Sequence, residues 1–308
     1  MAEHRKLAGR QGRSAPIGGW GAVLFGLPFL GAGVFAALAP RLAPENVNGP
    51  VQLVYWAAAV FGLAGLYMIW IGLRRLRRRA VAARLRELHP GEPWLWDHSW
   101  SRQGARGDVR RRALAAVAGA GAFAVFLAPF NVIAFGMDGV SPRALWVGVV
   151  VVFDLVTVGI IVHAIYLVMR WLKYGVATVT FGRFPFVLGE EGTIHFEGTA
   201  RGEPPRTLTA TLRCVEEAYE TSGSGKNRST KTVCYEVHAD TRTVDDVRGR
   251  WEGRRGLALS YVFPAAAPPT RLSERPPRYW ELEIGAEVPG IDYQGRFLLP
   301  VYAARTAS

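Results

Sequence analysis

Side chains suited to catalysis are few in this 308-residue chain, and their spacing does not bring them together. His195 and His238 stand in strand-like stretches, and Asp240 follows His238 by two residues, on the same side of a strand. A hydrolase needs a nucleophile held against a base, and no Gly-x-Ser-x-Gly turn offers one. His89, Glu92, Asp97 and His98 are ligand-type residues, but their spacing fits no zinc motif. Gly223-Ser224-Gly225-Lys226 has part of a phosphate-binding loop. Asn227 then stands where Ser or Thr is needed, and a strand follows in place of a helix N-terminus, so the stretch reads as a hairpin tip. Gly119-Ala120-Gly121 opens like a dinucleotide fingerprint, yet it lies in an apolar helix with no strand before it. These patterns predict no catalytic residue, no cofactor and no metal centre. Two features remain: the polar residues Asp154 and Asn131 inside apolar runs, and a loop rich in Arg and Trp.

Four apolar runs, about 17–39, 51–73, 113–137 and 144–172, are each long enough at about 1.5 Å per residue to cross a bilayer core of about 30 Å. Ala37-Leu38-Ala39 has the form of a signal-peptide cleavage site. The first run, however, exceeds the roughly 7–15 residues of a signal core, and Pro40 would follow the cut, so an uncleaved span is expected. Asp154 is near the middle of the fourth run and Asn131 toward the end of the third. Polar groups at such depth are costly. They either pair with each other or with backbone, or mark an ion or proton path. His163, nine residues from Asp154, falls on the opposite helix face and forms no relay with it. Ala115 and Gly119, with Ala118 and Ala122, make small-xxx-small patterns that suit helix packing within the bundle and leave room for a homo-oligomer.

Charge sets the orientation. Residues 1–172 hold 19 Lys and Arg against 8 Asp and Glu, whereas residues 173–308 hold 18 against 17. The excess lies in the tail 1–16 and in the loop 74–112, which alone carries 12 Arg. The positive-inside rule then places both termini and this loop in the cytoplasm. A basic excess arranged this way argues against nucleic-acid binding. Arg74, Arg75, Arg77, Arg78 and Arg79 leave the second run, and Arg110, Arg111 and Arg112 enter the third; both clusters are expected to face anionic lipid headgroups. Val81, Leu85 and Leu88 continue a helix that His89-Pro90-Gly91 ends. Beyond it, Pro93 favours an extended Glu92, so Trp94 and Trp96 should point to one side. Trp94, Trp96 and Trp100 either anchor at the membrane interface or pack onto the C-terminal domain.

After residue 173 the period turns from helical to alternating. Strands are expected at about 176–181, 192–199, 207–219, 230–240, 257–263, 278–288 and 291–302, enough for an antiparallel β-sandwich in 173–308. Cys214 and Cys234 are too few for a disulfide scaffold, and they differ in alternation phase. Gly91-Glu92-Pro93-Trp94-Leu95-Trp96 between paired spans resembles an uncharacterised family of bacterial integral membrane proteins, which implies the four-span layout and no activity. Tyr261-Val262-Phe263-Pro264, Tyr279-Trp280-Glu281-Leu282-Glu283-Ile284 and Gly290-Ile291-Asp292-Tyr293, with Phe297-Leu298-Leu299-Pro300-Val301, are together similar to one lobe of the arrestin-like, immunoglobulin-like sandwiches. That resemblance implies binding of a protein partner without catalysis.

The expected molecule is a membrane α plus all-β protein: four transmembrane helices followed by a cytoplasmic β-sandwich. The abundance of Arg, Ala and Gly over Lys suits a GC-rich bacterial genome; with the four spans, the expected location is the bacterial inner membrane, multi-pass. Docking or assembly is the expected role, with an unidentified protein as partner. The alternative is a small transporter or channel component using Asp154.

Overall fold

The structure, a computed structural model, describes residues 5–8, 10, 12–13, 18–46, 50–136, 142–198, 205–223, 228–250 and 256–304. The hairpin tip Ser224–Asn227, the end of the third apolar run at Met137 and parts of the tail 1–16 lie outside the described residues. Four helices, α1 (Gly19–Leu42), α2 (Val51–Leu88), α3 (Val109–Gly136) and α4 (Arg143–Tyr174), are long and apolar enough to cross a membrane. The chain divides into two compact units. One comprises 15–82 and 115–165, and the other 1–14, 83–114 and 166–308.

Within the helical unit, glycines spaced by seven hold α1 to α2. A Cβ on Gly65 would lie 2.4 Å from the Leu30 nitrogen and 2.7 Å from the Gly26 oxygen, and one on Gly72 would lie 2.7 Å from the Gly19 oxygen. Gly33 likewise abuts the backbone of Gly62. A seven-residue spacing keeps one seam facing its partner, and small residues on that seam let backbones approach where lipid gives no hydrophobic drive. On α3 and α4 the buried positions also recur by seven: Ala120, Leu127 and Ala134, then Val150, Thr157 and Ala164. Ala115, Ala118, Gly119 and Ala122 are instead exposed, and a Cβ on Gly119 would meet nothing within 4 Å. The packing seam of α3 is therefore displaced from the small-xxx-small pattern.

The other unit is a β-sandwich. Its strands are β1 (Arg5–Lys6), β2 (Gly104–Arg106), β3 (Thr178–Phe181), β4 (Phe186–Val187), β5 (Glu191–Gly198), β6 (Leu208–Ser222), β7 (Ser229–Val244), β8 (Leu257–Val262), β9 (Arg278–Ala286), β10 (Tyr293–Leu299) and β11 (Val301–Tyr302). One sheet has the order β1-β7-β6-β9-β10 and the other β2-β3-β5-β8, and β11 and β4 form a separate parallel pair. Alternation supplies the core: Ile194 and Phe196 of β5 and Leu259 and Tyr261 of β8 meet Leu212 of β6, Trp280 and Leu282 of β9 and Phe297 of β10. Trp280 is fully buried and donates its indole N–H to the Pro268 oxygen at 2.9 Å.

The seven expected strands are present, with ends shifted by a few residues. The stretch 291–302 is two strands instead of one, because Pro300 has no N–H to continue the ladder. Strands β1, β2 and β4 were not expected from the sequence. Both cysteines are free and buried. The register slips where Cys214 opposes His238 and Val215 opposes Glu236, leaving Val237 as an extra residue. Cys214 consequently faces the inter-sheet core while Cys234 packs with Val215 and Tyr279 on the opposite face.

Candidate functional site

The loop after α2 belongs to the sandwich unit. Pro93–Leu95 forms a 3-10 turn, with Leu95 N–H donating to the Glu92 oxygen at 3.0 Å and Asp97 N–H to the Pro93 oxygen at 2.9 Å. This corrects the extended reading of Trp94 and Trp96: proline's fixed φ suits the first position of a helical turn as well as a strand. The turn sends the aromatics different ways. Trp94 packs edge-on to Tyr302 with ring centroids 6.0 Å apart, and Trp100 Nε1 donates to the Tyr302 hydroxyl at 2.9 Å. Trp96 instead turns back, donating Nε1 to the His89 oxygen at 3.2 Å beneath the Arg86 guanidinium.

Asp97 is the centre of this arrangement. It is buried, and its carboxylate accepts from Ser273 N–H at 2.6 Å, Leu272 N–H at 3.0 Å and the Tyr302 hydroxyl at 3.1 Å. Burial, and then the Asp97 charge, push the Tyr302 phenol well above its ordinary pKa, so it remains a donor. Past Trp100 the chain runs as β2 along β3, Gly104 opposite Thr180 and Arg106 opposite Thr178. A Cβ on Gly104 would lie 1.9 Å from the Val179 oxygen, so the strands approach this closely only with glycine there. His89, Glu92, Trp96, Asp97, Arg271 and Tyr302 are among the residues that border a cleft of about 840 Å³.

The N-terminal segment lies across the outer face of the five-stranded sheet. Arg5 and Lys6 pair with Glu236 and Tyr235, Leu7 N–H donates to the Cys234 oxygen at 2.9 Å, and Leu7 packs on Val215, Cys234 and Tyr279. Arg10 pairs with Glu281, and with Glu283 at 3.6 Å; its side chain is 6% exposed and that of Glu281 2%. Arg13 N–H donates to Glu217, and its guanidinium stands 5.1 Å over the Tyr279 ring. Glu283 also meets Arg213 at 3.1 Å and Arg296 at 3.2 Å. Burial alone would raise the Glu283 carboxyl, but Arg296, Arg213 and Arg10 together hold it below the usual carboxylate range.

Asn131 Nδ2 donates to Asp154 Oδ1 at 3.0 Å, and Thr157 donates to the Phe153 oxygen at 2.7 Å. His163 is exposed. Arg74, Arg77, Arg78 and Arg79 are exposed and Arg75 is partly so; Arg74 stands over Trp70 at 5.4 Å. Arg110, Arg111 and Arg112 are exposed, Arg110 over Trp171 at 5.9 Å and Arg112 on Asp108 at 2.7 Å. His195 Nδ1 and His238 Nε2 have no hydrogen-bond partner among the described residues, and Asp240 pairs with Arg242 at 2.9 Å. Burial pushes the Cys214 thiol up to about 12, so it is no nucleophile at neutral pH. No group of three His, Cys, Asp or Glu among the described residues is placed to hold a metal.

No family model matches the sequence, and no curated protein does. Among solved structures, the sporulation control protein Spo0M from Bacillus subtilis matches at 15% identity with a TM-score of 0.23, covering 42% of this chain. The chain spans about half, 49%, of that protein's length. The sandwich assignment rests on the sheets and their common core.

Sequence reasoning missed Asp97, which it weighed only as a metal ligand, and it missed the tail as a packed element. A signal for the first existed: an isolated Asp among three tryptophans, beside a proline turn, is costly unless donors converge on it.

Proposed function

We propose that this chain is a membrane-anchored docking or assembly protein. Its four apolar helices hold an arrestin-like β-sandwich at the cytoplasmic face of a bacterial inner membrane, where the sandwich binds a protein partner without catalysis. The observation that carries this reading is the composition of the sandwich unit. Residues before α1, between α2 and α3, and after the middle of α4 all contribute to it, so the backbone passes between the two units four times. A domain stitched to its anchor by four covalent crossings suits a platform that must present a surface, whereas a tethered enzyme needs only one linker. The Arg clusters, Arg74 to Arg79 and Arg110 to Arg112, fit the anionic headgroups of the cytoplasmic leaflet.

The experiment is crosslinking capture from native membranes with the intact chain, beside reporter fusions after Arg79 and Ser308. A partner recovered with wild type and with Asp154→Asn, together with cytoplasmic reporters, is the expected result. Exported reporters, or loss of the partner only on changing Asp154, would overturn it in favour of the transport reading.

A further inference from the structure

The outer face of the five-stranded sheet is built as a receptor for a linear segment. It offers, in order along the tail, a sheet edge at Glu236 and Tyr235, an apolar seat for Leu7, and a carboxylate pair for Arg10. Next comes a slot at Gly12, where a Cβ would lie 2.7 Å from Thr232 Cγ2 and 2.9 Å from Glu217 Oε2. The last element is the Tyr279 ring, which lies under the Arg13 guanidinium, while Glu217 beside it accepts from the Arg13 backbone N–H. Each element reads a different property, and together they specify an apolar residue, arginine three positions on, glycine two further, and arginine next.

We propose that this face is a docking groove for a basic peptide of the pattern apolar-x-x-Arg-x-Gly-Arg, and that the tail is its resident ligand, exchanging with a partner that carries the same pattern. This names the partner chemistry within the docking reading and rests on it. Two observations favour exchange over a fixed strap. First, among the described residues the tail makes two strand pairs, and Leu7, Arg10 and Arg13 hold it by side-chain contacts that another segment can reproduce. Second, Glu217 and Glu281 are 0% and 1% exposed, and buried carboxylates stripped of the tail's backbone N–H at one and its arginine at the other are strongly unfavourable. The groove therefore does not stand empty; it passes from one arginine-bearing segment to another. Being part of the same chain, the tail competes at an effective concentration of order millimolar, so a free peptide binds well only when the tail is weakened.

The test uses the full chain in nanodiscs, wild type and Arg10→Ala/Arg13→Ala. The probe is a fluorescein-labelled peptide of sequence Arg-Lys-Leu-Ala-Gly-Arg-Gln-Gly-Arg, copied from residues 5–13, and the control peptide has Ala in place of its second and third arginines. Cys234, whose Sγ lies 3.9 Å from the Arg10 oxygen, reports cover by its rate of maleimide labelling, and Cys214 in the core reports folding. The double variant should bind the peptide saturably and at least about tenfold more tightly than wild type. Its Cys234 labelling should quicken and slow again with peptide, and the control peptide should do neither. No binding to the double variant up to about 1 mM with Cys214 protected would overturn the groove, while leaving docking through another face intact. If Cys214 labels too, the milder single variant Arg13→Ala is incubated with the peptide carrying a photo-crosslinker at its Leu position. Crosslinks to Ser229–Val244 support the proposal and their absence overturns it.

Discussion

The helical unit and the sandwich unit solve the same problem, holding backbone segments together, with opposite materials. In the helices the contacts are between nearly bare backbones, Gly26 on Gly65 and Gly19 on Gly72, and polar pairing is confined to a few groups such as Asn131 and Asp154. In the sandwich an aromatic core is supplemented by buried charge: Asp97 beneath Tyr302, and Glu281 and Glu283 against Arg10. Inside lipid the surroundings are as apolar as the contact, so only close approach discriminates. Beside water, burial supplies the drive, and buried carboxylates fix which segments belong together.

Breaking the close approach should have the largest effect. Gly65→Leu places side-chain carbons against the backbone of Leu30 and Gly26, with no rotamer to relieve them, and should cost about 3 kcal/mol or more. Gly119→Leu, in open space on the same kind of helix, should change little. Thermal unfolding in detergent compares the two, and equal effects would remove the distinction between packed and exposed small residues.

Breaking the sandwich's keystone comes next. Asp97→Ala leaves the Leu272 and Ser273 N–H groups and the Tyr302 hydroxyl without their acceptor, at a cost of roughly 2 kcal/mol, since those at residues 272 and 273 are near enough to water for partial rescue. Asp97→Asn should cost less. Denaturant unfolding followed by tryptophan fluorescence reads the difference.

Acid should act on the sandwich selectively. The Glu283 carboxyl is depressed in the fold, so its contribution is complete above its ordinary value of 4.5 and is lost as pH falls through the lower folded value. Stability measured from pH 6 down to about pH 3 should therefore decline, and Glu283→Gln should flatten that part of the decline. A variant as acid-sensitive as wild type would contradict the assignment. The smallest effect is expected from Asp154→Asn, which keeps a hydrogen-bonding partner for Asn131; a change under about 1 kcal/mol should be seen in the same detergent assay.

Period and composition were enough to read the four helices and the seven principal strands, because an apolar run of lipid-crossing length with almost no charge and strict alternation are both one-dimensional signals. Less legible were contacts made between distant segments. Glu281 and Glu283 alternate with Trp280 and Leu282 and read as a solvent face, yet Glu281 is buried because a tail more than 260 residues earlier covers it. Gly104 gives no strand signal by composition; it is a strand because β3 offers an edge. Asp97 reads as a loop acid until Leu272, Ser273 and Tyr302 are brought to it. The small-xxx-small pattern on α3 marks a face that does not pack, whereas the seam of α1 and α2 follows glycines spaced by seven, which a four-residue pattern does not register.

The segment between α2 and α3 is part of the sandwich unit. Amide hydrogen exchange of the intact chain tests it at Gly107, which donates to the Ala177 oxygen at 2.8 Å, and at Leu272 and Ser273, which donate to Asp97. The expected result is protection at these amides comparable with that of Thr178–Phe181, and selective acceleration at Leu272 and Ser273 in Asp97→Ala. Fast exchange throughout residues 93–107 in the wild type, with Thr178–Phe181 still protected, would contradict it.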